Sequence, residues 1–340
     1  EGNGMNILAI ESSCDETAVA VVKDGRTVLS DAIASQADMH AIYGGVVPEI
    51  ASRKHIEAIA TLAEQALAQA GATRADIDAV AVTYAPGLIG ALLVGVNFAK
   101  SAAFGLNVPL IPVHHVRGHI AANYITHPEL EPPFVCLCVS GGNTLIVDVK
   151  DYTRMEIMGA TRDDAAGECF DKVARVLGLG YPGGAPVDRL SQGGDDRRYE
   201  LPRAHVADAP LDMSFSGLKT AVLNLVHNAQ QKGEQLELKD LAASFSAAVS
   251  DSLVPRAMEA AKCKGYGKLA VAGGVAANSR IRADLERACA TSGDKLYLPQ
   301  LSLCGDNGAM IGCQGYYEYL AGVRGGMDLN AYANRDIQKG

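Results

Sequence analysis

The chain has 340 residues, 48% hydrophobic and 20% charged, which is enough for about two ordinary domains and too apolar for intrinsic disorder. Its 30 basic and 39 acidic residues leave a net charge of −9, excluding broad non-specific attraction to nucleic acid; an RNA contact needs a local patch, such as Arg53-Lys54-His55 or Arg197-Arg198, or a partner protein. Eight cysteines lie mostly in apolar segments with no C-x-x-C pair, which argues against a zinc knuckle or a disulfide framework.

In chain order, residues 1–4 read as an expression scar before Met5. The apolar run that follows meets Glu11 too soon for a signal peptide. No stretch reaches the roughly 18 uninterrupted apolar residues of a membrane span, so a cytoplasmic protein with no membrane partner is expected. Short β-branched runs at 6–10, 18–22 and 27–33 are divided by the polar turn Ser12-Ser-Cys-Asp-Glu16 and the hairpin signal Asp24-Gly25. Helical periodicity covers 48–70, then a strand at 78–84, a helix at 90–104 and a strand at 108–113. A helix starting just after that strand carries His115 and His119.

The same order then returns. Strands at 134–139, 144–150 and 155–159 surround Ser140-Gly-Gly-Asn143 and Asp151-Tyr152, followed by a helix at 239–261, a strand at 268–272, a helix at 278–290, a strand at 295–299 and a closing helix at 306–320. Two copies of a β-β-β-α-β-α unit define an α/β fold that resembles the duplicated, two-lobed actin-like ATPase superfamily of sugar kinases and heat-shock ATPases. That resemblance implies a nucleotide cleft between lobes. The expected lobes are 5–115 and 134–325, joined by a helix and linker at 116–133, with an insertion at about 162–235 and a tail at 326–340.

His115-Val-Arg-Gly-His119 has metal-ligand spacing, because residues four apart share one helix face and neutral imidazole is a common ligand for zinc or iron. The competing reading is a helix with two hydrogen-bonded histidines. A zinc protease would need Glu after the first His, where Val116 stands. Asp306, at the start of the closing helix, is either a cap or the carboxylate of a two-histidine, one-carboxylate site with open positions. The matched turns at 12–16 and 140–143 offer backbone N–H groups to phosphate. The run Ala270-Val-Ala-Gly-Gly-Val-Ala-Ala-Asn278 either meets a nucleotide or packs a helix closely on its strand; it is not a P-loop, since it lacks the lysine. Asp15, Glu16 and Asp171 are the acids placed for chemistry.

Ten motifs in order, including Ile10-Glu-Ser-Ser-Cys-Asp-Glu-Thr17, Gly44-Gly-Val-Val-Pro-Glu49, Pro86-Gly-Leu-Ile-Gly90, His114-His-Val-Arg-Gly-His119, Phe170-Asp-Lys172, Tyr181-Pro-Gly-Gly184, Phe215-Ser-Gly-Leu-Lys219 and Asp306-Asn-Gly-Ala-Met310, closely resemble the TsaD family. The resemblance implies transfer of threonylcarbamoyl from threonylcarbamoyl-AMP, supplied by a separate synthase, to the exocyclic amine of the adenosine 3′ of the anticodon in ANN-decoding tRNAs. It implies that His115, His119 and Asp306 hold one divalent metal ion, Fe2+ or Zn2+, and that Val139, Ser140, Gly141 and Gly142 contact the intermediate. Asp171, Gly184, Asp188 and Asn278 would hold its nucleotide or acyl portion, ATP, ADP or AMP could occupy the cleft, and Asp15 or Glu16 would be catalytic, with Asp15 as base. Asn143 departs from the His of many relatives and is left with a binding role. TsaB-like and TsaE-like partners are implied besides tRNA. The rival activities are a metal-dependent endopeptidase and a small-molecule kinase of the same fold superfamily.

Overall fold

The computed structural model describes residues 4–339, so residues 1–3 of the expected scar lie outside the described residues. Two compact units are resolved, one of residues 4–132, 149–156 and 299–339 and one of 133–148 and 157–298.

In the first unit β1 (Asn6–Glu11) pairs antiparallel with β2 (Glu16–Lys23), and β2 with β3 (Thr27–Ser35). The β2–β3 turn places Asp24 at φ 52° and Gly25 at φ 76°, the left-handed conformations for which Asp-Gly is suited. A five-residue helix α1 (Ala37–Ala41), too short to have a readable period, precedes α2 (Pro48–Ala70). Proline opens α2 and Gly71, at φ 63°, closes it. Then come β4 (Ala79–Ala85), α3 (Ile89–Leu106), β5 (Leu110–His114) and α4 (His115–Thr126). The sheet order is β3-β2-β1-β4-β5, with β1, β4 and β5 parallel.

Both faces of this sheet are buried, which is why its central strands are continuously apolar. Leu8, Ile10, Val19, Val21, Val80 and Val82 face Ile59 and Leu62 of α2 and Leu92 and Val96 of α3. Their neighbours Ile7, Ala9, Ala20, Val22, Ala79 and Ala81 face the opposite side, where Ala122 of α4 and Met310 and Ile311 lie. Each such aliphatic side chain contributes roughly 1.5–3 kcal/mol on full burial. Helix α3 is long and apolar enough by composition to cross a membrane, although Asn97, Lys100 and Ser101 interrupt its apolar run; it is one-third buried, and that buried stripe packs on the sheet.

The second unit repeats the plan with β6 (Phe134–Val139), β7 (Thr144–Asp151) and β8 (Arg154–Ala160). The insertion supplies α5 (Ala166–Val176), α6 (Gly184–Ser191) and α7 (Ser216–Lys232). Next are α8 (Leu238–Lys264), β9 (Lys268–Ala272), α9 (Ser279–Ser292) and β10 (Lys295–Tyr297). The order β10-β9-β6-β7-β8, with β6, β9 and β10 parallel, reproduces the first sheet strand for strand.

Helix α10 (Gly308–Leu320) falls in the first unit, although its position in the chain groups it with the second half. Small residues explain the choice. A Cβ on Gly312 would come within 2.6 Å of Val22, and one on Gly315 within 2.6 Å of Ala81, so the helix lies closer to β2 and β4 than any larger residue allows. The tail is also bound there: Gly325 N–H donates to Leu110 O at 2.7 Å, Tyr332 N–H to Tyr84 O at 2.9 Å, and Arg117 of α4 donates through Nε and Nη2 to Ile337 O at 2.9 and 2.6 Å.

Candidate functional site

Strand β5 hands the chain directly to α4, so His115 is the first helical residue and His119 sits one turn on. Asp306 lies two residues before α10. It does not cap that helix as its position allowed; Asn307 does, accepting the Met310 N–H at 2.8 Å, which leaves the Asp306 carboxylate free to turn toward α4. The three ligand atoms converge: His115 Nε2 to His119 Nε2 is 3.1 Å, and Asp306 Oδ1 is 3.5 Å from the first and 3.2 Å from the second. Ligands about 2.0–2.1 Å from one ion at tetrahedral angles stand roughly 3.3–3.4 Å apart, so this donor set fits a small divalent cation. It is a possible His-His-Asp metal site.

The surrounding charge favours a cation as well. Burial alone would lower His115, but the Asp306 and Glu11 carboxylates overcome it and hold His115 up at about 9. Burial pushes Asp306 up, and the His115 and His119 rings more than reverse this, to about 2. Glu16 is raised to about 9 by burial and by the negative charges of Asp306 and Asp15. Three carboxylates within electrostatic reach repel one another unless one is protonated or a cation joins them.

The turn that carries these acids is tightly braced. His55 of α2 contacts Cys14 O through Nε2 at 2.8 Å and Thr17 Oγ1 through Nδ1 at 2.7 Å. Ser12 Oγ donates to Ala91 O at 2.9 Å, and a Cβ on Gly87 would strike Ser13 O at 2.6 Å. His55 therefore drops out of the surface patch suggested by Arg53-Lys54-His55. It is fully buried, and the other two pair with Glu49 and Glu57 on their own helix.

A residue the motif reading passed over occupies the centre. Glu11, at the end of β1, is fully buried and accepts the Ser13 N–H and the Thr83 hydroxyl, each at 2.5 Å, with His115 Nδ1 at 3.0 Å. The available signal was an acid ending a wholly apolar strand, since a buried carboxylate must find donors.

The second unit's expected site residues are arranged differently. Ser140 N–H donates to Asn143 O at 2.8 Å and Asn143 N–H to Ser140 Oγ at 3.2 Å, closing a turn whose Gly141 and Gly142 are exposed with open space around them. Val139, just before it, is buried. Asp171 of α5 accepts the Gly183 N–H at 2.7 Å and so fixes the start of α6, where Gly184 faces open space. Asp188 accepts Ser279 N–H at 3.2 Å and Ser279 Oγ at 2.7 Å, while Asn278 Oδ1 caps α9 by accepting the Ile281 N–H at 3.0 Å. Ser140 and Asn143 thus hold their own turn, while Asp171, Asp188 and Asn278 hold the starts of α6 and α9.

Paired sheets of one order, each with crossover helices, place the chain in the actin-like ATPase and sugar-kinase fold class. Component A of (R)-2-hydroxyglutaryl-CoA dehydratase from Acidaminococcus fermentans, at 14% identity, aligns with 93% of this chain and 98% of its own at a TM-score of 0.55, a likeness of fold alone. Sequence relatives go further. A tRNA N6-adenosine threonylcarbamoyltransferase from Clostridium botulinum is 54% identical over 97% of this chain and 97% of its own, and one from Clostridium perfringens is 55% identical over 96% and 97%. The TsaD family model, described as tRNA N6-adenosine threonylcarbamoyltransferase, matches residues 27–313. The chain belongs to the TsaD family and is a transferase that modifies tRNA.

Proposed function

We propose that the chain moves the threonylcarbamoyl group of threonylcarbamoyl-AMP to the exocyclic amine of the adenosine 3′ of the anticodon in ANN-decoding tRNAs, releasing AMP, with the help of one Fe2+ or Zn2+ held by His115, His119 and Asp306. Family membership supports the reaction, and the convergence of three ligand atoms carries the metal assignment. When bound, such an ion supplies Lewis acidity toward a carbonyl or phosphoryl oxygen.

In the transfer a C–N bond forms to the carbamoyl carbon, the C–O bond to phosphate breaks, AMP leaves with the electron pair and the amine sheds one proton. AMP is a good leaving group, so the chain's task is to place a weakly nucleophilic amine and to take that proton. Of the two turn acids Asp15 is assigned as base, because burial and the charges of Asp306 and Asp15 raise Glu16 to about 9. The exposed Gly141 and Gly142 are assigned, with Val139, Ser140 and Asn143, to the intermediate; Asp171 and Gly184 present the α6 start to it, and Asp188 and Asn278 hold the α9 start in place.

TsaB-like and TsaE-like proteins are proposed as partners, a threonylcarbamoyl-AMP synthase as supplier, and the cytoplasm as location. The test combines the chain with synthase, partners, threonine, bicarbonate, ATP and an ANN-decoding tRNA, and reads nucleosides by mass spectrometry. One threonylcarbamoyladenosine per tRNA is expected. An unmodified tRNA in a reaction whose synthase demonstrably makes the intermediate would sink the proposal.

A further inference from the structure

We propose that Glu11 is a positioning residue that sets the tautomer of His115, keeping its Nδ1 protonated so that Nε2 presents a lone pair to the metal; the inference rests on the metal reading above. Glu11 touches no reacting atom. Its two oxygens meet three groups: Ser13 N–H on Oε1 at 2.5 Å, the Thr83 hydroxyl on Oε2 at 2.5 Å, and His115 Nδ1 at 3.0 Å from Oε2. An ionised carboxylate only accepts, so each of these partners must supply a proton. Ser13 has a backbone N–H, and Thr83 spends its one hydroxyl proton on Oε2. The remaining position is consistent only with an Nδ1–H on His115.

Ser13 Oγ, 3.2 Å from the same nitrogen, adds an acceptor on that side. In a neutral imidazole a proton on Nδ1 leaves Nε2 bare, and Nε2 is the atom that faces His119 and Asp306. The two histidines differ here. Among the described residues His119 Nδ1 is buried with no hydrogen-bond partner, so only His115 has its orientation dictated from behind. Glu11, Ser13 and Thr83 come from β1, the following turn and β4, all fixed in the most buried part of the first sheet, and the carboxylate cannot swing away without leaving three partners unmatched.

Glu11→Gln tests this, because the amide keeps the shape but has one acceptor and a donor where two acceptors stood. With its oxygen toward Ser13, the NH2 group confronts Thr83 and His115 and favours the Nε2–H tautomer, which blocks the metal. The full chain is stripped of metal, and zinc affinity is measured by competition with a chromophoric chelator, alongside melting of the metal-free protein. Glu11→Gln should bind zinc about 10–100-fold more weakly than wild type. Thr83→Val, which leaves the carboxylate in place, should lose less.

Long-range proton–nitrogen spectra of the zinc-loaded wild type read the tautomer directly and do not depend on any variant folding. His115 should show metal on Nε2 and a proton on Nδ1. Zinc on Nδ1, or Glu11→Gln binding zinc within twofold of wild type, overturns the role of Glu11. A wild-type chain that takes up no zinc, or takes it up equally after His115→Ala, instead overturns the metal reading beneath it.

Discussion

The turn after β1 and the turn after β6 occupy matched places in two copies of one plan, yet they have become opposites. The first is packed with side chains: Glu11, Asp15 and Glu16 crowd toward Asp306 and His115, and His55 and Ser12 brace the backbone. The second is nearly bare, with Gly141 and Gly142 open to solvent and closed only by Ser140 and Asn143. A duplicated hairpin thus yields one turn rich in titratable charge, which calls for a cation, and one lined by backbone, which suits a flat or phosphorylated ligand.

Five experiments can break or sharpen that contrast. The largest effect is expected in the charged half. Replacing His115, His119 or Asp306 by Ala should reduce bound metal to near zero and transfer by about a hundredfold or more, measured by elemental analysis and by tRNA nucleoside mass spectrometry. If full transfer survives without metal, the charged turn has some other purpose.

In the bare half the glycines separate by role. Gly273, at φ 93°, would place a Cβ 2.4 Å from Val139 O, so Gly273→Ala should cost on the order of 2–4 kcal/mol and be visible as a large fall in Tm. Gly141→Ala meets nothing within 4 Å and should leave Tm nearly unchanged while weakening use of threonylcarbamoyl-AMP, seen as a raised KM. Equal transfer kinetics for Gly141→Ala would mean that no ligand approaches that backbone.

Asp188→Ala removes the acceptor for Ser279 N–H and Oγ at the start of α9, and should cost about 1 kcal/mol in denaturant unfolding without touching metal content. The last effect depends on pH and concerns Asp31, which accepts the Gly308 N–H at 3.0 Å; burial pushes its carboxyl up to about 6, only partly opposed by the backbone N–H groups of Gly308 and Ala309. A carboxyl raised on folding from 3.8 favours the fold below pH 4, and that contribution disappears as pH climbs through 6. The Tm of Asp31→Asn relative to wild type should therefore rise between pH 4 and 6 and stay flat above, a change worth up to about 3 kcal/mol. A flat difference throughout would show that Asp31 titrates normally.

Much of this was readable where chemistry is local. Pro48 and Gly71 mark the ends of α2, Asp24-Gly25 marks its hairpin, and the spacing of His115 and His119 survives folding because one helix carries both. What escaped depends on distant neighbours. Whether Asp306 capped α10 or faced the histidines was decided by Asn307 taking the cap. The allegiance of α10 was set by glycines fitting a sheet laid down almost 300 residues earlier in the chain. The family resemblance implies Asn278 and Asp188 as ligands; that they also accept from Ile281 and Ser279 at the start of α9 depends on the fold and has no signal in spacing. Helices α5, α6 and α7 lay inside what read only as an insertion, although α5 buries Ala166, Cys169, Phe170, Val173 and Ala174 at helical spacing.

Arg117, between the two histidines, gives its guanidinium to Ile337 O and to Glu318, so both of its partners come from much later in the chain, as does Asp306. During synthesis the histidines leave the ribosome long before any of those partners exist. The centre can therefore close only once Asp306 has been made, and a nascent chain that stops before it presents two imidazoles without their carboxylate.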